Sequence, residues 1–146
     1  MVMAQLSEQR LSEQRRDELS ARLKAHGLRT TLPRLMLADL LFAQGNRHVT
    51  AEKLHGEARQ AGLKVSQATI YNTLNQFSEA GLLREVQVDQ ARSYFDTNLD
   101  DHHHFYVEQE GRLIDIPQEA IALERLPDSP KGFSISGVDV VIRLSK

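Results

Sequence analysis

The sequence predicts an α+β fold in which a helical N-terminal part ends in a β-hairpin and a short strand-rich segment follows. Three observations carry this expectation. Four stretches before residue 81 show helical apolar spacing and each ends near a glycine, Gly27, Gly45, Gly62 or Gly81. Two β-prone runs, LLREVQV and ARSYFD, come directly afterwards, separated by the turn-like Asp89-Gln90. From about residue 98 the helical periodicity gives way to short strand candidates.

Residues 5–26 contain no proline or glycine and set Leu6, Leu11, Leu19 and Leu23 among charges, which predicts a mostly exposed helix stopped by Gly27. In the next helix Pro33 fits the first turn, and Leu32, Leu35, Met36, Leu40 and Leu41 form a wide apolar stripe that ends near Gly45. Thr50 caps a third, AEKLHGEARQA, with Ala51, Leu54, Ala58 and Ala61 inward and Gly62 as its stop. Ser66 caps a fourth, QATIYNTLNQFSEA, built on Ile70, Leu74 and Phe77 and ended by Gly81. Two helices joined by a tight glycine-containing turn describe a helix-turn-helix, and a hairpin after it is a wing. The expected domains are therefore a winged helix-turn-helix over 1–97, a hinge at 98–101 and a small α/β domain over 102–146. In that last part the strands fall at 102–107 and 112–116, a helix opened by Pro117 runs over 117–126, and FSISGVDVVIRL supplies a final strand.

At 146 residues and 40% hydrophobic content, the chain can bury one ordinary core or two small ones. No run approaches the roughly 18–20 apolar residues of a membrane span, and the N-terminus lacks the apolar segment of a signal peptide, so a cytoplasmic protein without membrane contact is expected. Cysteine is absent, which excludes disulfides, thiolate zinc sites and cysteine nucleophiles. The net charge of −2 hides an asymmetry. Residues 1–84 hold 12 Lys and Arg against 8 Asp and Glu, and the remainder 6 against 12, giving +4 and −6. A polyanion-binding half and a cation-binding half are the corresponding expectation.

Removing the inward residues of the fourth helix leaves Gln67, Thr69, Tyr71, Asn72, Asn75 and Gln76 toward solvent. Asn and Gln can pair with adenine edges, while Thr and Tyr position phosphates. Arg34, Arg84 and Arg92, with Arg29, could add backbone contacts and salt-dependent affinity. A solvated polar face is the alternative, and three helices followed by a wing favour DNA.

The run Asp100-Asp101-His102-His103-His104 poses a separate question. On a strand, His102 and His104 share one face and His103 takes the other. A metal site on His102 and His104 needs partners, which His48, Asp96 and Asp115 could supply. This nitrogen and oxygen set suits Mn(II), Fe(II) or Zn(II). A run of strand imidazoles that binds nothing is the alternative. His26 and His55 read as surface or capping residues, and Asp100 or Asp101 could orient a ligating histidine.

The segments GLRTTLPRLMLADLL, HVTAEKL, ATIYNTLNQFSEAGLLRE and HHHFYVEQEGRLIDI together resemble the ferric uptake regulator family, over residues 20–143. The resemblance implies a homodimeric metalloregulator with a winged-helix DNA-binding domain and an α/β dimerisation domain, which binds promoter DNA as a repressor when a hinge metal site is filled. The family's hinge ligands fall on His48, Asp96, His102, His104 and Asp115. Its structural zinc site of two CxxC pairs is missing here, the first pair falling on Val107 and Glu110. Asp96 and Asn72 look more like the peroxide-sensing and iron-response branches. The cysteine-free chain with its tri-histidine is most similar to the iron response regulator branch. That branch implies haem as a ligand through His102, His103 and His104, and haem or a haem-delivering protein as a further partner. The cysteine-proline haem motif of some members is absent.

These readings converge on a metal- or haem-responsive transcriptional regulator of iron homeostasis. A peroxide sensor using Fe(II) to oxidise a coordinating histidine is the regulatory alternative. A His/Asp metalloenzyme is disfavoured, because no general base stands apart from the ligands.

Overall fold

The computed structural model describes residues 11–90, 92–100 and 102–146, and the chain divides into two compact units, Met1–Leu99 and Asp100–Lys146. The first unit is a winged helix-turn-helix. Its elements among the described residues are α1 (Glu13–Ala25), α2 (Leu32–Phe42), β1 (His48–Val49), α3 (Ala51–Gln60), α4 (Gln67–Glu79), β2 (Arg84–Gln87) and β3 (Ser93–Asp96).

Hydroxyl caps open all four helices among the described residues. Ser12, Thr31, Thr50 and Ser66 accept the backbone N–H of Arg15, Arg34, Lys53 and Thr69, satisfying donors that the first turn leaves over. The predicted first helix therefore begins at Glu13 within the described residues; its expected positions 5–10, with Leu6, lie outside them. At the end of α4, Leu82 N–H reaches the Phe77 carbonyl at 2.8 Å and Gly81 N–H the Ser78 carbonyl at 3.1 Å. This closure needs the left-handed backbone of Gly81, whose φ is 86°. The same pattern follows α1 and α3.

One core unites the helices. Leu19 and Leu23 of α1, Leu37 and Leu41 of α2, Leu54 and Ala58 of α3, and Ile70, Leu74 and Phe77 of α4 are buried together with Val49 and Phe95 from the strands. Burying each large apolar side chain contributes about 1.5–3 kcal/mol. Ala51, expected inward, is partly buried and packs against this core, whereas Ala61 is half-buried at the C-cap just beyond α3. The Arg15 guanidinium ties α1 to Asp39 of α2 at 2.9 Å. The wing strands pair antiparallel, Arg84 opposite Asp96 through Gln87 opposite Ser93, and β1 adds to the other edge of β3, giving the order β1-β3-β2.

The second unit is a small sheet of β4 (His103–Val107), β5 (Arg112–Ile116) and β6 (Val141–Leu144), ordered β5-β4-β6. β4 and β5 form an antiparallel hairpin, and β6 joins β4 in parallel, His104 opposite Val141. Two expectations are corrected here. Instead of a helix over 117–126 there is one 3-10 turn, Gln118–Ala120, with Leu123 and Leu126 exposed beyond it. Pro127 and Pro130 bar continuation, and ten residues with no packed face do not hold a helix alone. The final strand is confined to Val141–Leu144, because β4 offers partners only from His104 to Val107 and the chain leaves the sheet before His103.

Candidate metal centre and nucleic-acid interface

Each unit carries imidazoles facing carboxylates. In the first unit, antiparallel pairing of β1 with β3 places His48 opposite Asp96. His48 Nε2 lies 3.1 Å from Asp96 Oδ2, and Asp96 is buried. The other carboxylate oxygen, Oδ1, accepts the Asn98 N–H at 2.9 Å, which fixes the plane of the group. Thr97 continues the ladder: its N–H donates to the Arg47 carbonyl at 3.0 Å, and its hydroxyl accepts the Arg47 N–H at 2.8 Å.

In the second unit, His102 Nε2 and His104 Nε2 stand 3.2 and 3.4 Å from one oxygen, Asp115 Oδ1. Asp115 is opposite His104 in the β4–β5 register, and both histidines are buried. Their ring centroids are 4.5 Å apart. His103 faces elsewhere, its Nδ1 accepting the Val140 N–H at 3.1 Å, as strand alternation requires.

The donor chemistry tests whether a cation fits. His102 Nδ1 donates to the Asp100 carbonyl, since a carbonyl can only accept. In neutral His102 this leaves a lone pair on Nε2, facing a carboxylate oxygen. Two acceptors 3.2 Å apart suit a cation shared between them. Metal–ligand bonds of about 2.1 Å at angles between square and tetrahedral put neighbouring donors about 3.0–3.4 Å apart. The observed spacings fit, and the Asp100 carbonyl holds the imidazole in the ligating tautomer.

The candidate nucleic-acid interface lies on α4. Gln67, Thr69, Tyr71 and Asn72 are exposed, whereas Asn75 is half-buried. Thr69 also serves the cap, its hydroxyl 3.0 Å from that of Ser66. A groove between the start of α2 and α4 is lined by Arg29, Thr31, Arg34, Thr69, Asn72 and Gln76. Arg34 is half-buried there, donating to the Arg29 carbonyl and the Gln76 side chain. Arg84 sits half-buried on β2, and Arg92, just before β3, is exposed. His26 caps the end of α1 on the Arg22 carbonyl, and His55 Nε2 bonds the Val65 carbonyl in the turn before α4.

Arg47 escaped the sequence reading. Its guanidinium grips Glu57 of α3 with both nitrogens, at 2.9 and 2.6 Å, and bonds the Leu40 carbonyl of α2 at 3.1 Å. The two residues are ten apart, with β1 and the start of α3 between them, a spacing with no periodic signature.

A winged helix-turn-helix with an amide-rich exposed helix, on a chain bearing imidazole–carboxylate sets, defines a metal-responsive DNA-binding regulator. The chain belongs to the ferric uptake regulator family, whose sequence profile matches residues 25–143. It is 34% identical over 104 residues to the ferric uptake regulation protein of Klebsiella pneumoniae, covering 70% of this chain and 67% of that one. The Escherichia coli K12 ferric uptake regulation protein is 34% identical over 100 residues, 68% of each chain. Among solved structures, the Pseudomonas aeruginosa ferric uptake regulator with manganese superposes at a TM-score of 0.65 and 27% identity, covering 87% of this chain and 96% of that one. A zinc-bound manganese uptake regulator does so at 0.62 and 25%, covering 86% and 96%. The family is one of transcription factors, not enzymes. No helix among the described residues is long and apolar enough to cross a membrane.

Proposed function

We propose that the chain is a cytoplasmic, homodimeric regulator of the iron-response type, in which His48, Asp96, His102, His104 and Asp115 ligate one divalent cation and so couple metal supply to promoter binding. The observation that carries this reading is the convergence of two buried imidazoles on Asp115, with His102 held in the ligating tautomer. The bound cation supplies the positive charge that the facing carboxylates and imidazole lone pairs need. His48 and Asp96 belong to the wing sheet and the other three to the C-terminal sheet, so a shared ion would favour one arrangement of the two units over the rest. Manganese, iron and zinc all suit the donor set, and two relatives of the same fold carry manganese or zinc.

Exposed Leu123, Leu126, Phe133 and Ile135 in the C-terminal unit give a second copy apolar surface to cover. On α4, Gln67, Thr69, Tyr71, Asn72 and Asn75 would read the major groove, with Arg34, Arg84 and Arg92 on phosphates. Hinge motion centred on 98–101 would convert metal binding into placement of that helix. Missing cysteines support the iron-response branch, because the CxxC pairs of other branches cannot form.

Haem is the second ligand of this reading, through His102, His103 and His104. His103 is buried and engaged with Val140, so ligation there demands opening β4 from β6, whereas a small cation needs no such change. The peroxide reading uses the same five residues, with Fe(II) and peroxide adding one oxygen to His48, His102 or His104. Tag-free protein is titrated with Mn(II), then with haem, while binding to a selected duplex is followed. Metal-dependent duplex affinity that disappears in His102→Ala supports the metal switch, and affinity indifferent to Mn(II) overturns it. Loss of binding on adding haem, or an oxygen adduct on a histidine after Fe(II) and peroxide, assigns the corresponding signal.

A further inference from the structure

We infer that Arg47 is a positioning residue that ties the His48–Asp96 pair to the helix-turn-helix, so that the state of these ligands is felt in α3 and, through it, in α4. The inference rests on the proposal that His48 and Asp96 bind metal. Arg47 precedes His48, and its backbone completes the ladder beside the ligand pair: N–H to Thr97 Oγ1 at 2.8 Å, carbonyl from Thr97 N–H at 3.0 Å. His48 and Asp96 therefore cannot shift along the strands without carrying Arg47 with them.

The side chain of Arg47 leaves the sheet for the helices. It makes two charge-assisted bonds to Glu57 on α3 and a third to the Leu40 carbonyl near the end of α2. A planar guanidinium held on both edges transmits orientation as well as charge, which a lysine ammonium does not. Arg47 and Glu57 are largely withdrawn from water, with side chains 19% and 25% exposed, so the pair is less screened than a surface bridge. Leu54 and Ala58 flank Glu57 on α3 and share the core with Ile70 and Leu74 of α4. Contact is thus continuous from the ligand pair to the DNA-reading helix, within the first unit.

Native-state hydrogen–deuterium exchange with and without Mn(II), on the full chain, tests this directly. In the wild type, Mn(II) should slow exchange in β1 and β3 and also in α3, the latter by about tenfold, in line with ordinary coupling energies. Glu57→Gln keeps the size and leaves a weaker neutral contact; Mn(II) protection should persist in β1 and β3 but fall away in α3. Should Glu57→Gln not fold, Arg47→Lys, which keeps the charge without the planar fork, serves the same comparison. A merely structural bridge would lower the thermal midpoint of the variant yet leave Mn(II) protection of α3 intact, and that result overturns the inference while the metal reading stands. Protection of β1 and β3 without α3 in the wild type overturns it equally. If Mn(II) protects neither β1 nor β3 in the wild type, the metal reading itself fails and this inference falls with it.

Discussion

His48 and Asp96 face each other across the β1–β3 ladder, imidazole Nε2 to carboxylate Oδ2 at 3.1 Å, with Asp96 buried at the end of the wing. Asp96 divides its oxygens between this contact and the Asn98 N–H, so its orientation is fixed before any ion arrives. Asp96→Asn should keep the turn at Asn98 yet lose the charge. Outer-shell groups of metal sites are worth roughly 10–100-fold in affinity, and a ligand should matter no less. Isothermal titration with Mn(II) would read that loss; unchanged affinity in Asp96→Asn would remove this residue from the ligand set.

His103→Ala separates the tri-histidine into its parts. It deletes the acceptor of the Val140 N–H and should cost the C-terminal unit about 1 kcal/mol, visible in denaturant unfolding. Mn(II) affinity should remain at the wild-type value, because only His102 and His104 face Asp115. Loss of Mn(II) binding in this variant would contradict the assignment of faces along β4.

On α4 the inward and outward residues should separate stability from DNA affinity. Phe77 is wholly buried, and Phe77→Ala should cost about 3–5 kcal/mol in chemical denaturation. Tyr71 is 48% exposed, and Tyr71→Ala should stay within about 0.5 kcal/mol of the wild type while weakening duplex binding. A Tyr71→Ala protein that binds duplex normally would mean that another surface reads DNA.

Arg84→Ala and Arg92→Ala should each reduce the slope of log affinity against log salt by about 1, with little change in sequence preference. Anisotropy titrations across a salt series would measure it, and an unaltered slope would place that arginine away from phosphate.

The helices were legible because their signals are local. Thr50 and Ser66 announce α3 and α4, and each does cap its helix by a side-chain acceptor. His102, His104 and Asp115 were readable for the same reason: period-two alternation on one strand and a hairpin partner on the next. Residues 117–126 misled because Pro117 opens a turn as readily as a helix, while holding a longer helix requires something to pack against, and Leu123 and Leu126 remain about half exposed. Arg47 was invisible because its meaning lies in Glu57, Thr97 and the Leu40 carbonyl, none at a spacing that sequence reveals.

The parallel pairing of β4 with β6 has a kinetic consequence. Within the C-terminal sheet the β4–β5 hairpin closes on near neighbours, but β6 must return across the whole stretch from Val107 to Val141 before its first ladder bond forms. Chain entropy is lost first and contacts follow late, a topology that folds slowly. The β4–β5 hairpin, with His104 already opposite Asp115, should therefore form before β6 locks the sheet. A newly made molecule would pass through a stage in which His104 and Asp115 are in register while the edge of β4 beside them is still open.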